Sequence, residues 1–108
     1  MGELKDLQDS VVRFRDNRDW LQYHTPKNLA MAIAGEVGEL TDLYLWDREP
    51  DPELVRLEMA DILIYLLSMA DVLGVDLAQA VRDKIKINRQ KYPAFRATGN
   101  CDKAAVCP

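Results

Sequence analysis

Apolar residues recur at intervals of three and four along most of this chain, and that spacing places them on one face of an α-helix. No segment shows the alternating pattern of a half-buried strand, so the chain is predicted to be all-α. The first predicted helix covers about residues 4–18 and the second about residues 26–46. Their apolar faces consist of Leu4, Leu7, Val11 and Phe14 in the first and Leu29, Ile33, Val37, Leu40 and Tyr44 in the second.

Residues that cap helices mark where the remaining elements begin and end. Thr25-Pro26 is a cap followed by proline at the first helical position, and Asp51-Pro52 opens a third helix in the same way. Gly74 is predicted to end the third helix, because glycine tolerates the left-handed backbone found there. Asp76 then caps a fourth helix, with Gln79 at the position of a reciprocal capping box. The sequence therefore predicts four helices.

The length of 108 residues fits one domain rather than two. Pro93 is expected to stop the fourth helix, so the folded domain is predicted at residues 1–93 and a loose tail at residues 94–108. Both cysteines, Cys101 and Cys107, fall in this tail. They lack the partners of a disulfide framework or a zinc site, and we expect free thiols.

Charge and hydropathy bear on the partners of the chain. A net charge of −4 argues against non-specific binding to nucleic acid. The start of the chain lacks the apolar core of a signal peptide, and the longest apolar run, residues 62–75, is interrupted by Ser68 and Asp71. We therefore expect a cytoplasmic protein with no membrane span. The third helix is apolar nearly all round beyond Met59, which predicts burial against another subunit.

Two acidic pairs, Glu36 with Glu39 and Glu58 with Asp61, lie in the second and third predicted helices. Residues three apart share a helical face, so each pair projects in one direction. In an antiparallel hairpin, residues at the same level have numbers with a constant sum. Glu39 with Glu58 and Glu36 with Asp61 give the same sum, and its midpoint falls inside the predicted turn at residues 47–52. The four carboxylates are therefore predicted to meet between the two helices.

Four clustered carboxylates repel one another and oppose ionisation unless a cation compensates them. Mg²⁺ suits such a group, because it takes oxygen ligands and keeps waters and substrate phosphates in its shell. The chain has a single histidine and no Glu-x-x-His motif, which argues against a di-iron centre. The alternative is that these are solvated surface charges. Small and apolar neighbours such as Gly35, Gly38, Met59 and Ala60 favour the metal site.

At these residues the chain resembles the MazG-like all-α NTP pyrophosphatase superfamily, whose signature is E-E-x-x-E followed downstream by E-x-x-D. The first glutamate of that signature is replaced here by Gly35, while the metal-ligating positions are retained. The matching segments read Gly35-Glu36-Val37-Gly38-Glu39 and Glu58-Met59-Ala60-Asp61. Further segments are similar to the dCTP pyrophosphatase branch: Arg18-Asp19-Trp20, His24-Thr25-Pro26-Lys27-Asn28-Leu29, Asp61-Ile62-Leu63-Ile64-Tyr65-Leu66, Lys84, Ile87-Asn88-Arg89 and Tyr92-Pro93. The resemblance covers about residues 4–93.

The resemblance implies hydrolysis of a (deoxy)nucleoside triphosphate, with dCTP or a modified dCTP as the expected substrate, to the monophosphate and pyrophosphate with Mg²⁺.

 Such enzymes remove unwanted or non-canonical nucleotides, and they are dimers or dimer-of-dimers tetramers. By resemblance Glu36, Glu39, Glu58 and Asp61 hold the metal and carry catalysis. The residues expected to contact the substrate are His24, Tyr65, Lys84, Asn88 and Arg89, with Trp20 and Trp46 as candidates for stacking on a base.

Two alternatives stay open at this stage. A related pyrophosphohydrolase could act on dUTP or phosphoribosyl-ATP, since base preference can turn on few contacts. A non-catalytic helical dimerisation module would explain the apolar third helix. That second reading gives no reason to aim four carboxylates at one another.

Overall fold

The computed structural model of the chain describes residues 2–46 and 49–94. Its elements are α1 (Glu3–Asn17), a short 3₁₀ turn (Leu21–Tyr23), α2 (Pro26–Asp42), α3 (Pro52–Leu73) and α4 (Leu77–Lys91). The described residues contain no strand, which confirms the all-α prediction. Part of the predicted turn, residues 47 and 48, and the predicted tail from residue 95 onward lie outside the described residues.

The predicted helix starts are confirmed by their capping bonds. The side chains of Thr25, Asp51 and Asp76 each accept a hydrogen bond from a backbone N–H in the first turn, at 2.9–3.1 Å. These bonds satisfy donors that a helix start otherwise leaves unpaired. At the other end of α3, Gly74 has φ 68°, the left-handed conformation expected of a glycine that ends a helix.

The second helix ends earlier than the apolar pattern predicts. It stops at Asp42 rather than near residue 46. The amides of Leu43, Tyr44 and Leu45 donate to carbonyls three residues back, at 3.0–3.2 Å, in place of the helical four-residue bond. Tighter turns of this kind satisfy the last carbonyls of a helix. The prediction was wrong here because no glycine or proline marks the end of α2 in the sequence.

The first compact unit of the chain contains α1, α2 and α3, with α2 and α1 both packed on α3. Its most buried side chains are Leu29 on α2 and Leu67, Ser68 and Ala70 on α3. Gln8 of α1 donates to the carbonyl of Leu67 at 3.2 Å. This contact fixes α1 against the C-terminal half of α3.

The face that α1 turns toward α3 overlaps only in part with the predicted apolar face, of which Val11 is partly buried. Leu7 and Phe14 are 45% and 50% exposed, whereas the buried side chain of α1 is Arg15, at 5%. The guanidinium is not isolated, because Arg15 Nη1 lies 2.8 Å from Asp71 Oδ2 on α3. A buried charge is tolerated when it is paired in this way.

The second compact unit contains α4. The side chain of Gln79 donates to Asp83 at 2.9 Å, so it does not complete the reciprocal capping box predicted with Asp76. The helix ends at Lys91, two residues before Pro93. Proline disfavours the helical backbone conformation in the residue that precedes it. Val81 of this helix is 54% exposed.

Among the described helices, none is long and apolar enough to cross a membrane.

Many large apolar side chains of α3 are exposed in the single chain. The exposed apolar residues of α3 are Leu54, Leu57, Met59, Leu63, Ile64, Leu66 and Leu73.

Candidate metal and nucleotide site

The packing of α2 on α3 brings three of the four predicted carboxylates together. Glu36 of α2 and Glu58 and Asp61 of α3 each offer one oxygen, and these oxygens all lie within 4.8 Å of one another. We call these three residues the carboxylate cluster. Glu39 is not one of the three, but its charge acts on both Glu36 and Glu58. The hairpin register deduced from residue numbers thus places the acidic pairs side by side.

Two oxygens of the carboxylate cluster are shielded from water. Oε2 of Glu36 and Oε2 of Glu58 are buried and have no hydrogen-bond partner among the described residues. An ionised carboxylate can only accept hydrogen bonds, so two neighbouring carboxylates cannot satisfy each other. Buried polar atoms without partners are uncommon and call for an explanation, such as a bound ion.

The electrostatics of the carboxylate cluster oppose full ionisation. Burial, followed by repulsion from Glu39, a hydrogen bond with Glu58 and repulsion from Asp61, raises the pKa of Glu36 to about 7. Burial also raises the pKa of Glu58, although the hydrogen bond with Glu36 opposes this. A shared proton and a bound cation are therefore alternative ways to relieve the same repulsion.

The donor set fits a hard divalent cation. All of the candidate ligand atoms are carboxylate oxygens, which suit Mg²⁺ and Ca²⁺ better than the softer metals that prefer imidazole or thiolate. The unpartnered oxygens of Glu36 and Glu58 are the atoms that such an ion would satisfy. Metal binding by Glu36, Glu39, Glu58 and Asp61 nevertheless stays a prediction.

The glycines beside the cluster border open surface in the single chain. The sequence pattern predicts that Gly35 and Gly38 allow another backbone to approach α2 closely. A Cβ built on either glycine would meet no atom of the described residues within 4 Å. Within the single chain the surface around both glycines is open, and a close approach by the backbone of another subunit stays a prediction.

Two of the predicted substrate contacts, Trp20 and His24, lie on the segment between α1 and α2. The Trp20 ring packs edge-on against Phe14, with centroids 5.6 Å apart and planes at 72°. The guanidinium of Arg18 lies 3.4 Å from the centroid of the Phe14 ring. Trp20 remains 44% exposed, so one part of its ring is available to a ligand.

His24 differs from an ordinary surface histidine. Its side chain is partly buried, and Nδ1 is shielded from water without a hydrogen-bond partner among the described residues. Burial and, after it, the positive charge of Arg15 lower the pKa of His24. The ring is therefore neutral near pH 7, with one nitrogen that can accept a hydrogen bond.

The other residues predicted to contact the substrate lie after α2, on α3 and on α4. Trp46 follows the end of α2 and is 67% exposed, while Tyr65 is partly buried on α3. On α4, in the second unit, Lys84 and Arg89 are exposed and Asn88 is partly buried. Their roles in substrate binding stay predictions.

Sequence reasoning missed Arg15. The signal was present, since Arg15 follows Val11 by four residues and thus continues the face of α1 that packs on α3. Its partner Asp71 lies within the apolar run of α3. From the sequence alone, Asp71 can be recognised only as an interruption of that run. A charge on each of two apolar faces is a pattern that predicts a buried ion pair, but only once the two faces are known to meet.

Comparison with known proteins adds a family and several relatives. The sequence model of the MazG-like family matches residues 28–104. The dCTP pyrophosphatase 1 proteins of Mus musculus and Homo sapiens are each 40% identical to this chain over 97% of its length and 68% of their own. A dATP/dGTP diphosphohydrolase of Cyanophage S-2L is 44% identical over 55% of the chain and 52% of its own length.

A solved structure is also similar. The crystal structure of a pyrophosphatase from Archaeoglobus fulgidus superposes with a TM-score of 0.77 at 42% sequence identity. The match covers 86% of this chain and 94% of that one.

Proposed function

The chain belongs to the MazG-like family, and we propose that it is a hydrolase that cleaves a (deoxy)nucleoside triphosphate to the monophosphate and pyrophosphate with Mg²⁺. The proposed substrate is dCTP or a modified dCTP, and the proposed role is removal of unwanted nucleotides in the cytoplasm. Relatives named for dCTP and a pyrophosphatase neighbour support the reaction.

One observation carries the metal part of this proposal. Glu36 and Glu58, on different helices, each bury an oxygen that no described group satisfies. Solvated surface charges would keep both oxygens in water, and a structural ion pair would supply a cation from the chain. Neither is found at these two atoms among the described residues. A divalent cation brought with the substrate would satisfy both oxygens at once.

The chemistry then divides between the ion and the chain. A bound Mg²⁺ would neutralise charge on the phosphates and lower the pKa of a bound water. Glu36, Glu58 and Asp61 would hold the ion, because their oxygens converge. Glu39, whose charge acts on both Glu36 and Glu58, is proposed as the fourth ligand, and one of the four carboxylates would also orient the attacking water. Hydrolysis of this kind needs positioning and charge neutralisation rather than a covalent nucleophile.

The base would be bound by the segment between α1 and α2. Trp20 offers an exposed ring for stacking, and His24 offers a partly buried imidazole. Tyr65, Lys84, Asn88, Arg89 and Trp46 are proposed to contact the phosphates, the sugar or the base on the strength of the family resemblance. A purine-directed relative exists, so base preference has to be measured.

We infer that the chain forms a homodimer or a dimer-of-dimers tetramer. The support is the exposed apolar surface of α3, where Leu63 is 38% and Ile64 42% exposed in the single chain. Surface of this kind is usually covered by a partner. The domain assignment is unchanged by this inference, and a folded domain at residues 1–93 stays a prediction.

The test is a panel of nucleoside triphosphates, including dCTP and dUTP, together with phosphoribosyl-ATP. Pyrophosphate release is measured with Mg²⁺ for the wild type, Glu58→Gln and the control Glu53→Gln. Glu53 lies on the same helix but is exposed and bonded to Arg56. We expect dCTP to be hydrolysed best, Glu58→Gln to be inactive and the control to match the wild type. Turnover of no nucleotide would favour the dimerisation module, and preference for dUTP or phosphoribosyl-ATP would favour the related enzymes.

A further inference from the structure

Trp20 is tied to the end of α1 through its backbone. Its amide donates to the carbonyl of Arg15 at 3.1 Å, and its carbonyl accepts from the amide of Tyr23 at 2.9 Å. The chain reaches this position through Asp19, whose φ of 55° is a left-handed conformation that a non-glycine residue adopts at a cost. Gln22 donates its side-chain amide to the carbonyl of Asp19 at 3.0 Å. The backbone at Trp20 is therefore held on both sides.

The Trp20 ring packs on Phe14, which lies in the last turn of α1. The two rings meet edge to face, with centroids 5.6 Å apart and planes at 72°, an arrangement that aromatic pairs favour. Phe14 is 50% and Trp20 44% exposed, so the pair lies at the surface. Burial in the core therefore does not hold the Trp20 ring in place, and its immediate neighbours have to do so.

Arg18 is the third member of this group of side chains. Its guanidinium lies 3.4 Å from the centroid of the Phe14 ring and 5.8 Å from that of the Trp20 ring. Both distances are within the range of a cation–π contact, which extends to about 6 Å. The exposed part of the Trp20 ring is left open by these contacts. We call Phe14, Arg18 and Trp20 the aromatic platform.

A hydrogen bond fixes the guanidinium of Arg18 within the aromatic platform. Its Nη1 donates to the backbone carbonyl of Phe14 at 3.0 Å. Carbonyls in the last turn of a helix need partners from outside the regular helical pattern, and Arg18 supplies one. A guanidinium is planar and carries its donors in a rigid fork, whereas an ammonium matches only its charge. Lysine at this position would therefore not reproduce the stacked and bonded geometry.

We propose that Arg18 is a positioning residue for Trp20: stacked on Phe14 and bonded to its carbonyl, it holds the Trp20 ring in the orientation that stacks on the base of the nucleotide. The part that concerns the base rests on the proposed function. A side chain that is already ordered loses less conformational entropy on binding, so a fixed ring binds the base more tightly than a mobile one. Arg18 acts through Trp20 and does not itself touch the nucleotide.

The first test measures the mobility of the Trp20 ring without any nucleotide. Trp46→Phe leaves Trp20 as the one tryptophan of the chain, so time-resolved fluorescence anisotropy reports the motion of a single ring. In this parent we expect little fast depolarisation, and in Arg18→Met and Arg18→Lys a clear fast component from motion of the released ring. The control Arg13→Met should match the parent, since Arg13 is exposed and bonds to Ser10 on its own helix. An unchanged decay in Arg18→Met overturns the proposal.

The second test determines whether Arg18 acts through Trp20 or on the substrate directly. KM and kcat are measured for the nucleotide that the wild type hydrolyses best, in the wild type, Arg18→Met, Trp20→Ala and the double variant. Arg18→Met should raise KM by roughly two- to tenfold and Trp20→Ala by roughly tenfold or more, with kcat changed less. The double variant should have the KM of Trp20→Ala alone, because Arg18 has nothing to position once that ring is gone.

The other outcomes of the second test contradict the proposal. Additive effects in the double variant would mean that Arg18 contacts the substrate itself. A wild-type KM in Arg18→Lys would mean that the charge alone is sufficient. A merely structural role, in which Arg18 only caps α1, predicts a lower melting temperature for Arg18→Met with KM unchanged. If the wild type hydrolyses no nucleotide, the proposed function fails, and the anisotropy decay still decides whether Arg18 holds Trp20.

Discussion

Glu36 on α2 and Glu58 on α3 each bury an oxygen without a partner, and their nearest candidate ligand oxygens lie within 4.8 Å of each other. Repulsion between two partly buried carboxylates at this distance disfavours the state in which both are ionised. A proton or a cation held between the two helices relieves this repulsion. The pH dependence of the protein's stability is therefore linked to its binding of a metal ion.

The stability of the metal-free protein should fall as pH rises from about 5 to about 8. The pKa of Glu36 is about 7 in the folded state against an ordinary value of 4.5, so between these values the folded state holds a proton that the unfolded chain has lost. The free energy of unfolding then decreases with rising pH. The lowered pKa of His24 acts in the opposite direction below its ordinary value of 6.5. Thermal melts across this range measure the net trend.

Saturating Mg²⁺ should remove this loss of stability at the alkaline end. An ion that binds the ionised carboxylates stabilises the folded state, and it does so more strongly once Glu36 has lost its proton. The melting temperature should therefore rise with Mg²⁺ more at about pH 8 than at about pH 5. An equal shift at both values would contradict competition between the proton and the ion.

Glu36→Gln should stabilise the metal-free protein near pH 8 and abolish its response to Mg²⁺. The substitution removes one of the repelling charges, an effect of about 1 kcal/mol, which moves the melting temperature of a domain this size by roughly 4–8 °C. The control is Asp42→Asn, at the end of the same helix. If the variant is less stable than the wild type near pH 8 without metal, the Glu36 charge does not destabilise the folded protein.

Asp71→Ala should be far more harmful than Arg56→Ala. The first substitution leaves a buried guanidinium with only Asp16 as a charged partner, and it is expected to lower the free energy of unfolding by about 1–3 kcal/mol. The second breaks the exposed pair of Arg56 and Glu53 and should leave the melting temperature within error. Urea unfolding curves compare the two, and equal effects would mean that the Arg15 pair is solvated.

Leu63→Glu should shift the protein toward the monomer. Leu63 lies on the exposed apolar face of α3, and a charge at the centre of a buried contact between copies is strongly unfavourable. Sedimentation velocity measures the mass, with Lys5→Glu on α1 as a control at an exposed polar position. A wild type that sediments as a monomer at all concentrations would contradict the proposed oligomer.

Much of this fold could be predicted from the sequence because its signals are local. Thr25, Asp51 and Asp76 cap helices through bonds to residues two or three positions away, so their types and neighbours suffice. The acidic pairs could be placed because a hairpin converts residue numbers into levels. The reasoning there needed only two helices and a turn.

The rest could not be predicted because it depends on which faces meet. The burial of Arg15 follows from its contact with Asp71, fifty-six residues away in the chain. The end of α2 at Asp42 is set by three-residue backbone bonds that no residue type announces. The apolar pattern of α3 predicts an apolar surface. It does not identify the chain that covers this surface, because that depends on how the protein assembles.

The measurement that tests the central claim most directly is the identity of the products formed from dCTP, separated by chromatography, with and without Mg²⁺. We expect dCMP and pyrophosphate in equal amounts, no turnover after chelation, and a loss of at least about a hundredfold in Glu58→Gln, since even outer partners of a metal site cost about 10–100-fold when changed. Formation of dCDP and phosphate, or turnover that a chelator leaves unchanged, would contradict the account.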